Sequence, residues 1–351
     1  MNKKRGKGGL THVSSLLPGL GIDVPDAPPA PPEVPAYQPK PVSKRRQNRD
    51  ERITKVRTDR DDGKQDVGYL PKGFVLCGLP FKPVKNATYY ERSNGDYVLE
   101  ITGSPKYGLP FGADILPVIW VATLARKQML ETKSSKCPRE ISFKTGSQIL
   151  DAFGLPKSGD SYRRMQERIL RVFHATYFYG KAGKGRVTNY SFRFFDGVDL
   201  WFTHDLESQT LPGDDFANNR IELSEKFAQE IERNPPPIDL QMARAWSDKP
   251  AVLFFGMWLA YRCFTETGTT DIPLMGTRGL KAQMGVQGYD DPKRGAIDFR
   301  KRVKGWLLDV IDGWPECPAR IESRPTGDYL TIAHAKAINQ QTKGQFLPQK
   351  A

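Results

Sequence analysis

The chain is short of several things that would point to familiar chemistry. It has only four cysteines and four histidines in 351 residues. Cys77, Cys137, Cys263 and Cys317 stand far apart and form no Cys-x-x-Cys pair. A disulfide framework or zinc knuckle is therefore not expected, and a reducing cytoplasm suits the chain. His12, His174, His204 and His334 are too dispersed for the His-apolar-His metal pair of a rolling-circle nickase. No apolar run approaches the roughly 18–20 residues of a membrane-spanning helix. The longest candidate, Ile115 to Ala125, is about half that. The basic N-terminus lacks the apolar h-region of a secretory signal. Acidic residues are also in deficit: 40 Asp+Glu face 53 Lys+Arg, a formal net charge of +13. Such a chain seeks polyanions, nucleic acid first and anionic membrane surface second.

Phosphate-loop chemistry is missing as well. Gly180-Lys-Ala-Gly-Lys-Gly-Arg186 is glycine- and lysine-rich. A P-loop, however, needs GxxxxGK followed by Ser or Thr. An Asp…Glu-x-Lys metal nuclease has one formal match, Asp114 with Glu131-Thr-Lys133, in a predicted helix without the strand context. The paired acids Asp61-Asp62, Asp214-Asp215 and Asp290-Asp291 lie in turn-like segments. No catalytic residue, metal site or cofactor is expected, and the chain does not read as an enzyme.

What is present divides the chain. Residues 1–66 read as an unfolded basic, proline-rich tail: nine of the 28 prolines fall between Pro18 and Pro41. That stretch favours extended polyproline II and buries little. It serves either as a solvated linker or as an arm adding sequence-independent phosphate contacts. The tail carries +5 of the net charge, which leaves +8 on the rest. From Gly68 on, strands flank Ser93-Asn94-Gly95-Asp96, because Asn-Gly supplies the positive φ of a tight hairpin. A helix follows from Phe111 to Thr132, with Pro117 implying a kink or a later start. Next come a strand (140–144), a short helix (147–153) stopped by Gly154, and a helix capped by Asp160 or Ser161 that runs to Thr176. Two aromatic strands, 176–179 and 188–195, close the set. This is the order of a winged helix-turn-helix. It recurs through 220–223, 224–231, 240–246, 251–264, 279–284, 292–311 and a hairpin around Arg324-Pro-Thr-Gly-Asp328.

The expected fold is α+β, with two tandem winged helix-turn-helix domains after a disordered tail. The first spans 67–203 and the second 219–338. A linker occupies 204–218 and a disordered C-terminal tail 339–351.

A helix that enters the major groove must pack one face and carry donors on the other. At 100° per residue, with Arg163 at zero, Tyr162, Met165, Ile169, Val172, Phe173 and Thr176 fall at about 180–280°. Arg164, Arg168 and Arg171 fall at about 80–140°. A charged face is ordinarily just solvated, but ordinary surfaces mix signs and this one is nearly all arginine. In the second long helix, with Ile297 at zero, Phe299, Val303, Trp306, Leu307 and Val310 form the apolar stripe. Lys293, Arg294, Lys301 and Lys304 lie within about 60° of zero, with Arg300 at the edge. Ile297 and Leu308 intrude on that basic side. The first hairpin tip offers Lys181, Lys184 and Arg186 among glycines that let backbone approach phosphates. The second tip offers Arg324. Tyr177, Phe178, Tyr179, Tyr190, Phe192, Phe194 and Phe195 alternate as the core face of a small sheet does. His174 reads as a packed or surface residue.

Several ordered motifs add a resemblance. Tyr107-Gly-Leu-Pro-Phe-Gly112 precedes an apolar helix ending Ala-Arg-Lys. Phe143-Lys-Thr-Gly-Ser-Gln-Ile-Leu-Asp-Ala-Phe-Gly-Leu155 is followed by Tyr162-Arg-Arg-Met-Gln-Glu-Arg-Ile-Leu-Arg-Val-Phe173. Further on come Pro237-Ile-Asp-Leu240, Trp258-Leu-Ala-Tyr-Arg262, Gly279-Leu-Lys-Ala-Gln-Met-Gly285 and Asp298-Phe-Arg-Lys-Arg302. Together, over roughly residues 105–335, these resemble the plasmid RepA-type replication initiator family. Trp314-Pro315 stands where such relatives commonly show Tyr-Pro. The resemblance implies a protein that binds repeated sites (iterons) in double-stranded origin DNA, helps open an AT-rich region and recruits host replication proteins such as the initiator and helicase. It also implies a homodimer in some roles. On this reading Arg163, Arg164, Arg168, Arg171, Arg300, Lys301 and Arg302 match its two helices. The alternatives are a winged-helix transcription regulator without a replication role, and an origin nickase or primase.

Overall fold

The computed structural model describes residues 44–62, 66–183, 186–200, 219–233 and 235–336. The proline-rich stretch, the linker at 204–218 and the tail at 339–351 lie outside the described residues. The first part of the chain forms α1 (Lys44–Asp61), β1 (Val67–Tyr69), α2 (Lys72–Leu76), β2 (Tyr89–Asn94), β3 (Tyr97–Thr102), α3 (Ile115–Glu131), β4 (Glu140–Phe143), α4 (Ser147–Ala152), α5 (Gly159–Phe173), β5 (Thr176–Gly183), β6 (Arg186–Phe192) and β7 (Phe195–Asp199). The second part forms β8 (Asn219–Leu223), α6 (Glu225–Glu232), β9 (Pro237–Asp239), α7 (Leu240–Ala245), α8 (Pro250–Thr265), β10 (Thr269–Pro273), α9 (Leu280–Gln283), α10 (Gly295–Gly313), β11 (Arg320–Arg324) and β12 (Gly327–Ala333).

Mixed helix and strand is thus the observed class. The order helix, strand, helix, helix, hairpin occurs twice, as α3-β4-α4-α5-β5-β6 and as α8-β10-α9-α10-β11-β12. Each copy is built around a helix buried on nearly every side, as an all-round apolar helix must be. In α3, Ile115, Leu116, Val118, Ile119, Val121 and Ala122 are sealed from solvent. The helix starts later than Phe111. Pro117 falls in its first turn, where a missing N–H costs no helical hydrogen bond. In α8, Pro250 opens the helix, and Val252 through Leu259 are buried. A Cβ on Gly256 would meet the Trp246 ring at 2.6 Å, so only glycine lets the two approach.

All the sheets are antiparallel. The first hairpin, β5–β6, is extended by β3 and β2 into a four-stranded sheet of order β2-β3-β5-β6. Gly95 takes the positive φ in the β2–β3 turn. The second hairpin joins β10 in the order β10-β12-β11.

Three expectations change. Lys44–Asp61, read as part of an unfolded tail, is a helix. Ile53 and Val56, one turn apart, are buried. Arg52 donates to the carbonyls of Gly154 (2.8 Å) and Arg244 (3.4 Å), and Arg57 to that of Asp312 (2.5 Å). The helix therefore spans the end of α4, α7 and the end of α10. Secondly, Asn219–Leu223, expected to open the second domain, is the central strand of a sheet of order β4-β8-β7. Phe227 of α6 then packs against Phe194 and Phe195. Thirdly, β1 pairs with β9 across the expected boundary. The described residues fall within one compact unit, Ser43–Ala351, and share one continuous apolar core. Arg92 of β2, buried, adds a polar link by donating to the carbonyls of Gln283, the last residue of α9 (2.7 Å), and Gly78 (3.2 Å).

Candidate nucleic-acid interface

The first candidate helix, α5, starts one residue before the expected caps. The Ser158 hydroxyl accepts the Ser161 N–H at 3.3 Å and so caps it. Gly154, with φ +57°, closes α4: the Leu155 N–H reaches back to the Leu150 carbonyl at 2.9 Å. Met165, Ile169 and Val172 of α5 are sealed against the core, as the 3.6-residue period requires.

The four arginines of α5 divide into two pairs. Arg163 and Arg164 are 64% and 61% exposed. Both sit near acids of their own helix: Arg163 donates to Asp160 (2.6 Å) and Glu167 (2.9 Å), and Arg164 pairs with Asp160. These are exposed contacts of adjacent turns and weak in water. Arg168 and Arg171 are only 20% and 17% exposed and turn toward Asp114. Arg171 donates to both carboxylate oxygens of Asp114, and Arg168 lies at 3.9 Å. The Phe111 N–H adds a third bond at 3.0 Å. Burial pushes the Asp114 carboxyl above the usual carboxylate range, against the pull of Arg171. Asp114 and Glu131 sit at opposite ends of α3, about 25 Å apart at 1.5 Å per residue. They cannot share a metal ion in the way the Asp…Glu-x-Lys match requires.

The second candidate helix, α10, follows the short α9 and is longer. Asp291 accepts the Lys293 and Arg294 N–H groups at 2.8 Å and organises its entry. Phe299, Val303, Trp306, Leu307 and Val310 are buried, matching the expected stripe. Outside that stripe Arg300, Lys301, Arg302 and Lys304 are exposed along the helix, and Lys293 and Arg294 are exposed at its entry. Arg300 lies 3.4 Å from Asp328 and Lys301 3.5 Å from Asp298. Lys293, Arg294, Arg302 and Lys304 have no ion pair among the described residues. Arg302 lies over the Trp306 ring at 6.0 Å. Ile297 and Leu308 are exposed on this basic side.

In the first hairpin the backbone of Lys181 pairs with Thr188, and Arg186 with Gly183. Lys184 lies outside the described residues. In the second hairpin Arg324 is tied down: it donates to Asp271 (2.7 Å) and Glu322 (2.6 Å) and covers the Tyr329 ring at 5.0 Å. Tyr177, Phe194 and Phe195 are buried and Phe192 packs on them, as a core face does, whereas Phe178 and Tyr190 are exposed. His174 ends α5 and stacks on Tyr107 at 4.4 Å. The four cysteines are free, and burial pushes the Cys137 thiol up to about 12.

Sequence reasoning misses five residues in three places. In sequence Asp114 matches only a metal-ligand pattern, because nothing local tells that an arginine 57 residues on will cover it. Lys82 and Lys85 stand in a loop, on neither a helix nor a hairpin tip. Their signal is the pattern Pro80-Phe-Lys-Pro-Val-Lys85, two lysines in a proline-braced loop. The anchoring arginines of α1 were submerged in the charge of the tail.

The chain matches no protein-family model and no curated protein. Among solved structures it is similar to two crystal structures of domains 2 and 3 of RctB, one a selenomethionine derivative. Identities are 14% and 12%; each match covers 76% of this chain and 99% of that chain, with a TM-score of 0.46. It is also similar to the WH1 domain of MSBI1.176, a replication protein isolated from a multiple sclerosis patient. That match has 14% identity and a TM-score of 0.23, and covers 34% of this chain and 80% of that one. These likenesses are too distant to carry an argument about function.

Proposed function

We propose that this protein is a DNA replication initiator that binds repeated sites in duplex origin DNA, without catalysing a reaction itself. The observation that carries the reading is α10. Its apolar stripe is buried while six cationic side chains stand exposed, Lys293 and Arg294 at its entry and Arg300, Lys301, Arg302 and Lys304 along it, four of the six without an ion pair among the described residues. A helix of that kind, entered from a short preceding helix and followed by a hairpin, suits the major groove. Arginine there reads guanine edges, and lysine holds phosphate. Arg163 and Arg164 give α5 a smaller, similar exposed surface. The sequence resemblance to the plasmid RepA-type family supports the iteron-binding form of this reading, with origin opening and recruitment of host replication proteins in the cytoplasm.

Footprinting on the DNA flanking the gene tests it. The expected result is protection of direct repeats beside an AT-rich segment that becomes reactive to permanganate. Protection of a lone inverted repeat, with no melting, would instead make the protein a transcription regulator. A metal-dependent nick would make it a nickase.

A further inference from the structure

A groove of about 1170 Å³ runs between the loop at Pro80–Lys85 and the exposed side of α10. The loop comes from the first part of the chain, more than 200 residues before α10. Phe81 fixes it there, with its ring edge-on to Trp306 at 5.8 Å and stacked with Phe254 at 6.0 Å. The Pro80 carbonyl accepts the Gly112 N–H at 2.7 Å, and Pro80 and Pro83 restrict the backbone on either side. The loop thus holds Lys82 and Lys85, both exposed, on the same groove as Lys301 and Arg302.

The charge in this groove does not cancel. Asp309 holds Lys249 at 2.8 Å, and Asp298 lies 3.5 Å from Lys301. Lys82, Lys85 and Arg302 remain without an ion pair among the described residues. A concavity with a surplus of cations focuses positive potential along its length. Its cations stand in solvent along an open trough, which suits a continuous anionic chain better than a small anion that needs a closed pocket.

We propose that this groove seats the sugar–phosphate backbone of the duplex beside the bases that α10 reads, with Lys82 and Lys85 as phosphate-contacting residues. The assignment rests on the duplex-binding function proposed above. It adds that the second recognition surface is composite, completed by a loop from the other half of the chain. Contacts of this kind set register and affinity and carry no sequence information.

The test compares the full chain carrying Lys82→Ala and Lys85→Ala with the wild type, on repeat and random duplexes over a range of salt. Each lost phosphate contact lowers the slope of log affinity against log salt by about 0.9, so the pair lowers it by about 1.8. Affinity falls several-fold, and the preference for the repeat over random DNA is kept. Ethylation of the phosphates beside the α10 site interferes with wild-type binding and ceases to interfere with the variant. Both side chains are exposed, so thermal stability stays at the wild-type value. A parallel variant, Lys293→Ala with Arg294→Ala, separates the two claims. If it loses binding while the loop variant keeps the full slope, the groove assignment is overturned and the duplex-binding function stands. If the loop variant loses sequence preference, the two lysines contact bases and the assignment is also overturned. If both variants bind as wild type, the function fails, and the groove with it.

Discussion

Arg171 grips Asp114 with two hydrogen bonds, Nε to Oδ2 at 2.7 Å and a terminal nitrogen to Oδ1 at 3.0 Å, and the carboxylate is 1% exposed. Arg168, one turn earlier, leans toward the same carboxylate. The arginine-rich face of α5 is therefore two surfaces. One half clamps the helix to the start of α3, and the other half faces solvent.

This division predicts a split between stability and binding. Arg171→Ala takes both of its hydrogen bonds from the buried Asp114 carboxylate, leaving Arg168 at 3.9 Å and the Phe111 N–H, and should destabilise the fold by up to about 3–5 kcal/mol. Burial already raises the Asp114 pKa, and losing Arg171 raises it further. A carboxyl whose folded pKa lies above its unfolded value gains stability as it takes up a proton. The destabilisation should therefore shrink as pH falls, which denaturant titrations at neutral and acidic pH would measure.

Arg164→Ala should do the opposite. Its contact with Asp160 is exposed, so stability should stay within about 0.5 kcal/mol of wild type. Binding to the repeat should weaken by about 1–3 kcal/mol if the side chain reads a base. Equal binding by Arg164→Ala and wild type would remove α5 from the recognition surface.

The helix α1 changes how the N-terminal arm must be probed. Removing residues 1–43 takes away basic and proline-rich sequence but no described contact. It should flatten the salt dependence of DNA binding, keep sequence preference and leave the melting temperature unchanged. Removing residues 1–60 also uncovers the sites of Ile53 and Val56 and should lower the melting temperature. The single variant Ile53→Ala should cost about 2–5 kcal/mol.

The second hairpin carries an acid-sensitive clasp. Hydrogen bonds from Arg324 hold the Asp271 carboxyl below its ordinary range, and bonds from Arg324 and Arg320 do the same for Glu322. A depressed carboxylate pKa contributes stability above its unfolded value and loses it as pH falls through the folded one. Hydrogen exchange in β11 and β12 should therefore quicken below about pH 4. Arg324→Ala should weaken that pH dependence, leaving the part that Arg320 exerts on Glu322 and Thr331 on Asp271. An unchanged profile in the variant would show that the clasp does not hold the hairpin.

Local periodicity made part of this legible in the sequence. The buried stripes of α5 and α10 follow from spacing alone, and Asn94-Gly95 marks the β2–β3 turn. What was hidden depends on partners distant in the chain. The strand β8 belongs with β4, about 80 residues earlier, and no local pattern carries that pairing. Among its described side chains the helix α1 turns only Ile53 and Val56 into the core, too few to stand out as a stripe among its many charges. The helical wheel placed Arg171 opposite the apolar stripe, and its angle is sound. The wheel shows no neighbouring element, and Asp114 arrives from α3 on the side that the wheel leaves to solvent.

The central claim is that α5 and α10 each read part of one duplex repeat. Footprinting of Arg164→Ala and Arg294→Ala chains beside the wild type tests it most directly. Each variant is expected to lose protection over a different part of the repeat while both remain folded. Full wild-type protection by both variants would contradict it.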